Sequence, residues 1–391
     1  MYAPSITELY RLPYSKNDNP NGWIEITTMC NLKCPGCYRG CNRPENIGKH
    51  EPLDKIKEEI LQLEKIRNCK IISISGGEPL MHPKLSEIID FITQQGMQAF
   101  VHTNGLLLTV DLIKKLKLSG MVGLIIRLDS LMEEKKNHTE IELNTKRQKW
   151  AEMVSSVKNI NLGFISVVNH KNLNEITEVI RWAQQNAEVV DFLTLIPIRQ
   201  VVFDKSEVLE TSNWVTLEEM CQVIHQEFPN LKYASYLGSQ LENSSIKWLQ
   251  AGWMIKGGVF VDYIDKKFIE AILMIYHYKY GKYSYVFKNG RNQITFTELL
   301  FLSLLVKTLR TSILKLILKV LCKPSLLFKK NIIQILSFTI PPGFVDGERD
   351  LCDACPDAML YNGKLVPSCG LEEIKTYGKP LSSNLFDKSP L

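Results

Sequence analysis

The chain has 391 residues, 45% apolar and 23% charged, enough to bury a sizeable core, which excludes a disordered protein and a single small domain. Its net charge of +5 is uneven: residues 255–332 carry fourteen Lys or Arg against four Asp or Glu, so the rest of the chain is acidic by about five. A basic stretch of this kind suggests an anionic partner, lipid or nucleic acid, beside the plain alternative of an ordinary basic surface.

The opening MYAPSITELYRLPYSKND has no basic start followed by an apolar run, so no secretory address is read. From residue 23 to about 199, short β-branched runs alternate with longer amphipathic patterns. Strands are predicted at 23–28, 71–74, 97–102, 122–128, 164–168 and 189–196, with helices at 53–66, 85–95, 112–118, 146–157 and 173–186. Six strands with five intervening helices imply a parallel sheet, which right-handed crossovers curl into an open or closed barrel, the open form being a partial (β/α)6 barrel. A further helical pattern covers 217–227. Residues 230–295 show no clear period and receive no element. Residues 295–337 are strongly apolar and read as helical, broken at Pro324. The expected organisation is a lead-in over 1–22, a core barrel over 23–229, a basic apolar helical region over 230–340 and a cysteine-rich extension over 341–391.

Ten cysteines without an export signal favour thiolate metal ligation in a reducing compartment over disulfides. The run CNLKCPGC places Cys30, Cys34 and Cys37 directly after the first strand. Three thiolates at this spacing can each bind one iron of a cubane cluster, leaving a fourth iron open to a substrate or cofactor. A zinc site is the alternative, completed by Cys41 or built from Cys34 and Cys37 with Cys352 and Cys355. The second strand runs into Ser75-Gly76-Gly77-Glu78-Pro79-Leu80. Paired glycines let backbone approach a ligand, and the turn's polar groups with Glu78 suit an amino-acid head group, although a tight strand-to-helix connection has the same composition.

CNLKCPGC followed by SGGEPL resembles the radical S-adenosylmethionine (SAM) superfamily over about residues 23–199, nearly half of the chain. The resemblance implies that Cys30, Cys34 and Cys37 ligate a [4Fe–4S] cluster whose open iron is chelated by the methionine end of SAM. Gly76, Gly77 and Glu78, in the turn closed by Pro79, would then contact its amino group. One electron cleaves the sulfonium, and the resulting 5′-deoxyadenosyl radical abstracts hydrogen from a substrate. Barrel enzymes set working residues at strand C-termini, so Thr103, Asn104 and Asp129 are candidates for the SAM ribose and carboxylate, with helix and turn capping as the alternative. Residues 163–168 are placed beside the adenine, or in plain core. One departure stands out: many family members carry an aromatic or His just before the third cysteine, where this chain has Gly36, with Tyr38 after it.

Cys352, Cys355 and Cys369, with an Asn362-Gly363 hairpin turn between them, resemble the auxiliary-cluster extensions of many such enzymes. A second iron–sulfur cluster is expected there, completed by Cys41, Cys322 or a non-cysteine ligand; zinc and unliganded thiols are the alternatives. Cys69 and Cys221 read as small buried apolar residues.

Residues 296–337 mix apolar runs with Lys307, Arg310, Lys315, Lys319 and Lys323, without the roughly 18 uninterrupted apolar residues of a membrane span. Such helices either lie in a membrane interface with snorkelling lysines or pack internally. The expected function is radical modification of a hydrophobic or lipidic small molecule, with flavodoxin or ferredoxin as electron donor. Location is expected in the cytoplasm, with peripheral contact at the inner membrane face as the further option. Maturation of a ribosomal peptide is the alternative. A zinc-stabilised nucleic-acid-binding protein, drawing on the aromatics between His277 and Tyr283, is the third reading; nucleic acid is not the expected partner.

Overall fold

One sheet of twelve strands organises the computed structural model, which describes residues 2–34, 37–41, 48–132, 138–199, 214–241, 245–284 and 293–380. After β1 (Tyr10–Arg11) the chain alternates β2 (Asn21–Glu25), α1 (Leu53–Arg67), β3 (Ile71–Ser75), α2 (Leu85–Gln94), β4 (Gln98–Thr103), α3 (Val110–Leu118), β5 (Met121–Arg127), α4 (Glu140–Val157), β6 (Asn161–Val168), α5 (Ile176–Gln185) and β7 (Val190–Pro197). Strands β2 to β7 lie side by side in chain order, all parallel, as the alternation implied. Helix α4 begins at Glu140, six residues before the expected start. A capping box between Thr139 and Glu142 fixes that start ahead of the apolar pattern.

The period of two in each strand separates two environments. Ile24, Ile72, Ile74, Val101, Leu124 and Ile126 are fully buried in the cluster that also holds Ile60 and Leu63 of α1 and Ile88 and Ile92 of α2. Trp23, Ser73, His102, Ile125, Ile165 and Thr194 face an interior cavity instead. Glycines make room for rings there. A Cβ on Gly123 would sit 2.1 Å from the Phe100 ring, and one on Gly163 2.2 Å from that of Phe192.

After α6 (Leu217–Glu227) the sheet continues through β8 (Tyr233–Gly238), β9 (Ile246–Lys256) and β10 (Val259–Tyr263), followed by α7 (Lys266–Tyr280), β11 (Gln293–Ile294), α8 (Phe296–Leu305) and α9 (Thr308–Cys322). The expectation that 295–337 is helical apart from Pro324 is corrected here. A short 3-10 turn, Pro324–Phe328, ends the helical stretch, and β12 (Asn331–Thr339) is a strand, parallel to β7 and antiparallel to β9. Buried along nearly all its length, β12 carries apolar residues on both faces, interrupted by Gln334 and Ser337, a pattern whose periodicity does not distinguish strand from helix. Through β12, β9 and β8 the sheet crosses residue 229 without interruption and ends at β1.

β10 and β11 branch from β9 and β12, and the main path of the sheet ends at β1 and β2. The C-terminal segment, with β13 (Phe344–Val345), β14 (Glu348–Arg349), β15 (Ala358–Tyr361), β16 (Lys364–Pro367) and α10 (Leu371–Tyr377), ties them together. Cys352 bridges Ser239 just after β8, Asp353 pairs with Arg11 of β1, and Asn21 of β2 donates to the Pro356 carbonyl at 3.1 Å. β15 and β16 form the expected hairpin, with Asn362 and Gly363 both at positive φ in its turn.

Candidate active site

The turn after β3 builds the site by gripping the chain that leads to Cys30. Gly77 N–H donates to the Thr27 carbonyl and Glu78 N–H to that of Met29, each at 2.7 Å. No side chain fits at this approach. A Cβ on Gly76, at φ +125, would lie 2.3 Å from the Thr27 oxygen, and one on Gly77 2.2 Å from that of Met29. The N–H groups of Gly77 and Glu78 are thus spent on positioning the cysteine loop. Glu78 has no exposure; its carboxylate accepts from Leu80 N–H, Thr103 Oγ1 and Asn104 N–H, which staples the end of β3 to that of β4. Burial raises its pKa, and these three hydrogen bonds oppose the rise. Gly76→Ala is expected to cost roughly 1–3 kcal/mol in backbone strain alone and to lower the iron retained on purification. Wild-type iron content and thermal midpoint would show that this contact is dispensable.

Cys30, Cys34 and Cys37 line one wall of an interior cavity of about 440 Å³, together with Gly76, Gly77, Thr103 and Asn104. Glu78, Pro79 and Asp129 lie behind that wall. Asn104 Nδ2 stands 4.0 Å from the Cys30 sulfur and donates to Asn31 Oδ1 at 2.6 Å. Burial pushes the Cys30 thiol up and the Cys34 thiol up to about 11. A hydrogen bond from Cys41 lowers Cys37 and raises Cys41 itself. Gly36 lies outside the described residues.

A cation missed by sequence reasoning meets these sulfurs. Arg127, at the end of β5, lines the cavity; burial works against its charge, but Asp129 and the Cys34 sulfur raise its pKa. Asp129 accepts from Arg127 Nε at 2.9 Å and from the N–H groups of Leu131 and Val167, so it aims the guanidinium rather than facing the cavity itself. The signal was their place at and just past the C-terminal end of β5, where barrel enzymes set working residues.

The second cysteine set reaches the same space. Cys352, Cys355 and Cys369 all line the cavity, held by Asn19 on the Ala354 carbonyl (3.1 Å) and by the buried Arg67 on that of Cys355 (2.8 Å). A hydrogen bond with Cys355, then burial, raises Cys352, and burial raises Cys369. Arg39, in the first cysteine loop, pairs with Glu25 of β2 and with Glu372 of α10, so the two cysteine segments are tied by buried charge. Of the suggested fourth ligands, Cys41 is buried and lines the cavity, whereas Cys322 is exposed at the end of α9. Cys69 and Cys221 are fully buried.

Below the thiols the cavity wall is mostly apolar, with Phe100, Ile125, Ile165, Phe192 and Ile335. Several buried polar atoms on it have no hydrogen-bond partner among the described residues: Trp23 Nε1, His102 Nε2, Ser337 Oγ and both amide atoms of Asn161. The His102 ring meets that of Trp23 edge-on at 4.7 Å, and burial lowers its pKa to about 3, so it is neutral near pH 7. Unsatisfied buried polar atoms are costly, so a ligand or water that pairs with them is favoured there.

The donor set fits a cubane. Among the described residues no group of three or more His, Cys, Asp or Glu converges on one point as a single ion requires; a [4Fe–4S] cluster takes its thiolates on separate irons, and three cysteines of one loop face the cavity beside a cation. Thiols beyond the C-terminal end of β2, in a parallel, barrel-like α/β sheet, suit an iron–sulfur site. The comparisons give the family. The radical SAM superfamily profile matches residues 24–183. A probable GTP 3′,8-cyclase from Methanocaldococcus jannaschii is 30% identical over 214 residues, covering 49% of this chain and 69% of that protein. The chain belongs to the radical SAM superfamily, whose members are enzymes that use a [4Fe–4S] cluster and SAM. From the same organism, a 7,8-dihydro-6-hydroxymethylpterin dimethyltransferase is 31% identical over 194 residues, 45% of this chain and 35% of that protein. The chain thus spans about a third of the length of the first relatives. The solved structure of Streptococcus suis SuiB bound to precursor peptide SuiA aligns with 56% of this chain and 49% of that one, at 16% identity and a TM-score of 0.44.

Proposed function

We propose that Cys30, Cys34 and Cys37 hold the [4Fe–4S] cluster, and that the chain modifies an uncharged, largely apolar small molecule lodged in the barrel cavity. The supporting observation is that all three thiols, the Gly76–Gly77 backbone and Asn104 share one cavity with apolar walls and unpaired neutral polar atoms. When bound, the cluster and SAM supply a 5′-deoxyadenosyl radical through one-electron cleavage of the sulfonium, and that radical takes a hydrogen atom from the substrate.

The chain's own groups position and exclude. The β3 turn fixes the cysteine loop, and Asn104 holds Asn31 beside Cys30. Arg127, aimed by Asp129, offers a guanidinium to the thiolates and to an anionic group such as the SAM carboxylate. Trp23 N–H and neutral His102 offer hydrogen bonds to an uncharged group on the substrate. Apolar walls keep bulk water from a reactive radical.

Cys352, Cys355 and Cys369 bind a second iron–sulfur cluster in this account, and an external one-electron donor of flavodoxin or ferredoxin type serves the cytoplasmic enzyme. Anaerobic purification is expected to give about eight irons per chain, falling to about four when all three C-terminal cysteines are changed to Ser. Dithionite-reduced protein should release 5′-deoxyadenosine from SAM in both forms. Equal iron in the two would remove the second cluster, and no 5′-deoxyadenosine from either would remove the activity.

A further inference from the structure

We infer that α8, α9 and the turn after them form a docking face for a bilayer surface rich in anionic headgroups. The inference does not rest on the radical chemistry. Eleven of the 22 large apolar side chains that are exposed among the described residues fall between Phe296 and Phe328. They are not marginally exposed: Leu304 is 72% accessible, Leu321 70% and Phe328 89%. An exposed patch of this density is a binding surface or an aggregation hazard.

Both helices are apolar on two sides. Leu299, Leu302, Val306, Leu309, Ile313 and Leu316 are buried in the second core, beneath β9, β10 and β12. At 3.6 residues per turn, Leu314, Ile317, Leu318 and Leu321 fall within an arc of roughly 100° on the exposed side. Lys315 and Lys319 follow on the adjoining flank, between the exposed leucines and the buried face, and Lys323 stands exposed at the C-terminal cap of α9. That is the order expected of a helix lying in a membrane interface, with ammonium groups reaching outward to headgroups beside the apolar arc.

Charge selects the occupant. Between Phe296 and Lys330 the chain has seven Lys or Arg and a single acid, Glu298. Lys315 is engaged by Asp262 at 2.8 Å; for Lys307, Lys319, Lys323, Lys329 and Lys330 no ion pair is formed among the described residues. Unneutralised lysines around leucine and phenylalanine suit anionic lipid better than a second copy of the same face, which would bring like charges together. No helix among the described residues is long and apolar enough to cross a membrane, so the contact is peripheral. The face also backs the cavity: Phe268 of α7 belongs to the same apolar cluster and lines the cavity interior.

The test is flotation of the whole protein with vesicles of phosphatidylcholine containing about a third phosphatidylglycerol, at low and high salt. The protein should float at low salt, more weakly at high salt as charges are screened, and hardly at all with phosphatidylcholine alone. Changing Lys307, Lys319 and Lys323 together to Gln should weaken binding about a hundredfold, roughly fivefold per lysine. Leu304→Ser, Leu305→Ser and Leu321→Ser together should abolish it without lowering the thermal midpoint, since these side chains are already exposed. Failure of the wild type to float at low salt, or flotation indifferent to the lysine changes, overturns the inference. So does a lipid-free dimer that the serine variant converts to monomer.

Discussion

Alanine in place of Cys30, Cys34 or Cys37, one at a time, is expected to abolish SAM cleavage outright. Each thiolate of a three-cysteine cubane binds its own iron, so losing one leaves an iron without a protein ligand. The loop has little to substitute with, because its neighbours are already engaged. Asn104 is committed to Asn31, Glu78 to Thr103 and Asn104, and Asp129 to Arg127. Cys41 is a thiol of the same loop, hydrogen-bonded to Cys37. Changing it to Ser should leave the core cluster in place, whereas the other three should lose the brown chromophore and 5′-deoxyadenosine formation together. Iron and sulfide content, measured beside product formation, checks this; wild-type cleavage in any of the three alanine variants would overturn the assignment.

A second large effect is expected far from the iron. Arg147 and Glu140 on α4 are fully buried and paired at 2.5 Å. The guanidinium also donates to the Leu128 carbonyl (2.9 Å), to Ser166 Oγ (3.2 Å) and to Asn144 Oδ1 (2.7 Å). It therefore clamps β6 and the exit of β5, immediately before the Asp129 that aims Arg127. Arg147→Met keeps the volume but strands a buried carboxylate, a change that typically costs about 3–5 kcal/mol. Changing Glu140 to Gln as well should recover part of the loss, because a neutral amide keeps hydrogen bonds from Ser130 N–H and Asn172 Nδ2 with a smaller desolvation cost. Urea unfolding monitored by tryptophan fluorescence reads both. A single-variant loss below about 1 kcal/mol would mean that the clamp is not structural.

The fold was most legible in the sequence where one physical signal acted alone. The alternation of β-branched runs with amphipathic stretches gave all six parallel strands, because each strand has one face under helices and one toward the cavity. The cysteine spacing and the glycine pair marked the same strand ends that the structure brings together. Less legible was anything requiring two distant segments. β12 hides among apolar residues because it is buried on both faces, and its neighbour β9 is closer in space than in sequence. The Arg39 bond to Glu372 spans 333 positions, and no periodicity carries such a pairing. The GGE turn shows a subtler gap. Its glycines line the cavity, but they also permit a close approach to the backbone of residues 27 and 29 that the composition of the turn did not reveal. In each case the residue type was informative and the partner was not.

The central claim is that SAM binds an iron left vacant by the three thiols of the Cys30 loop. Electron paramagnetic resonance of the dithionite-reduced protein, with Cys352, Cys355 and Cys369 changed to Ser so that one cluster remains, tests it directly. The account predicts a reduced [4Fe–4S] signal that changes on adding SAM and disappears when Cys34 is also replaced. A signal unmoved by SAM, or no iron–sulfur signal after reconstitution, would contradict it.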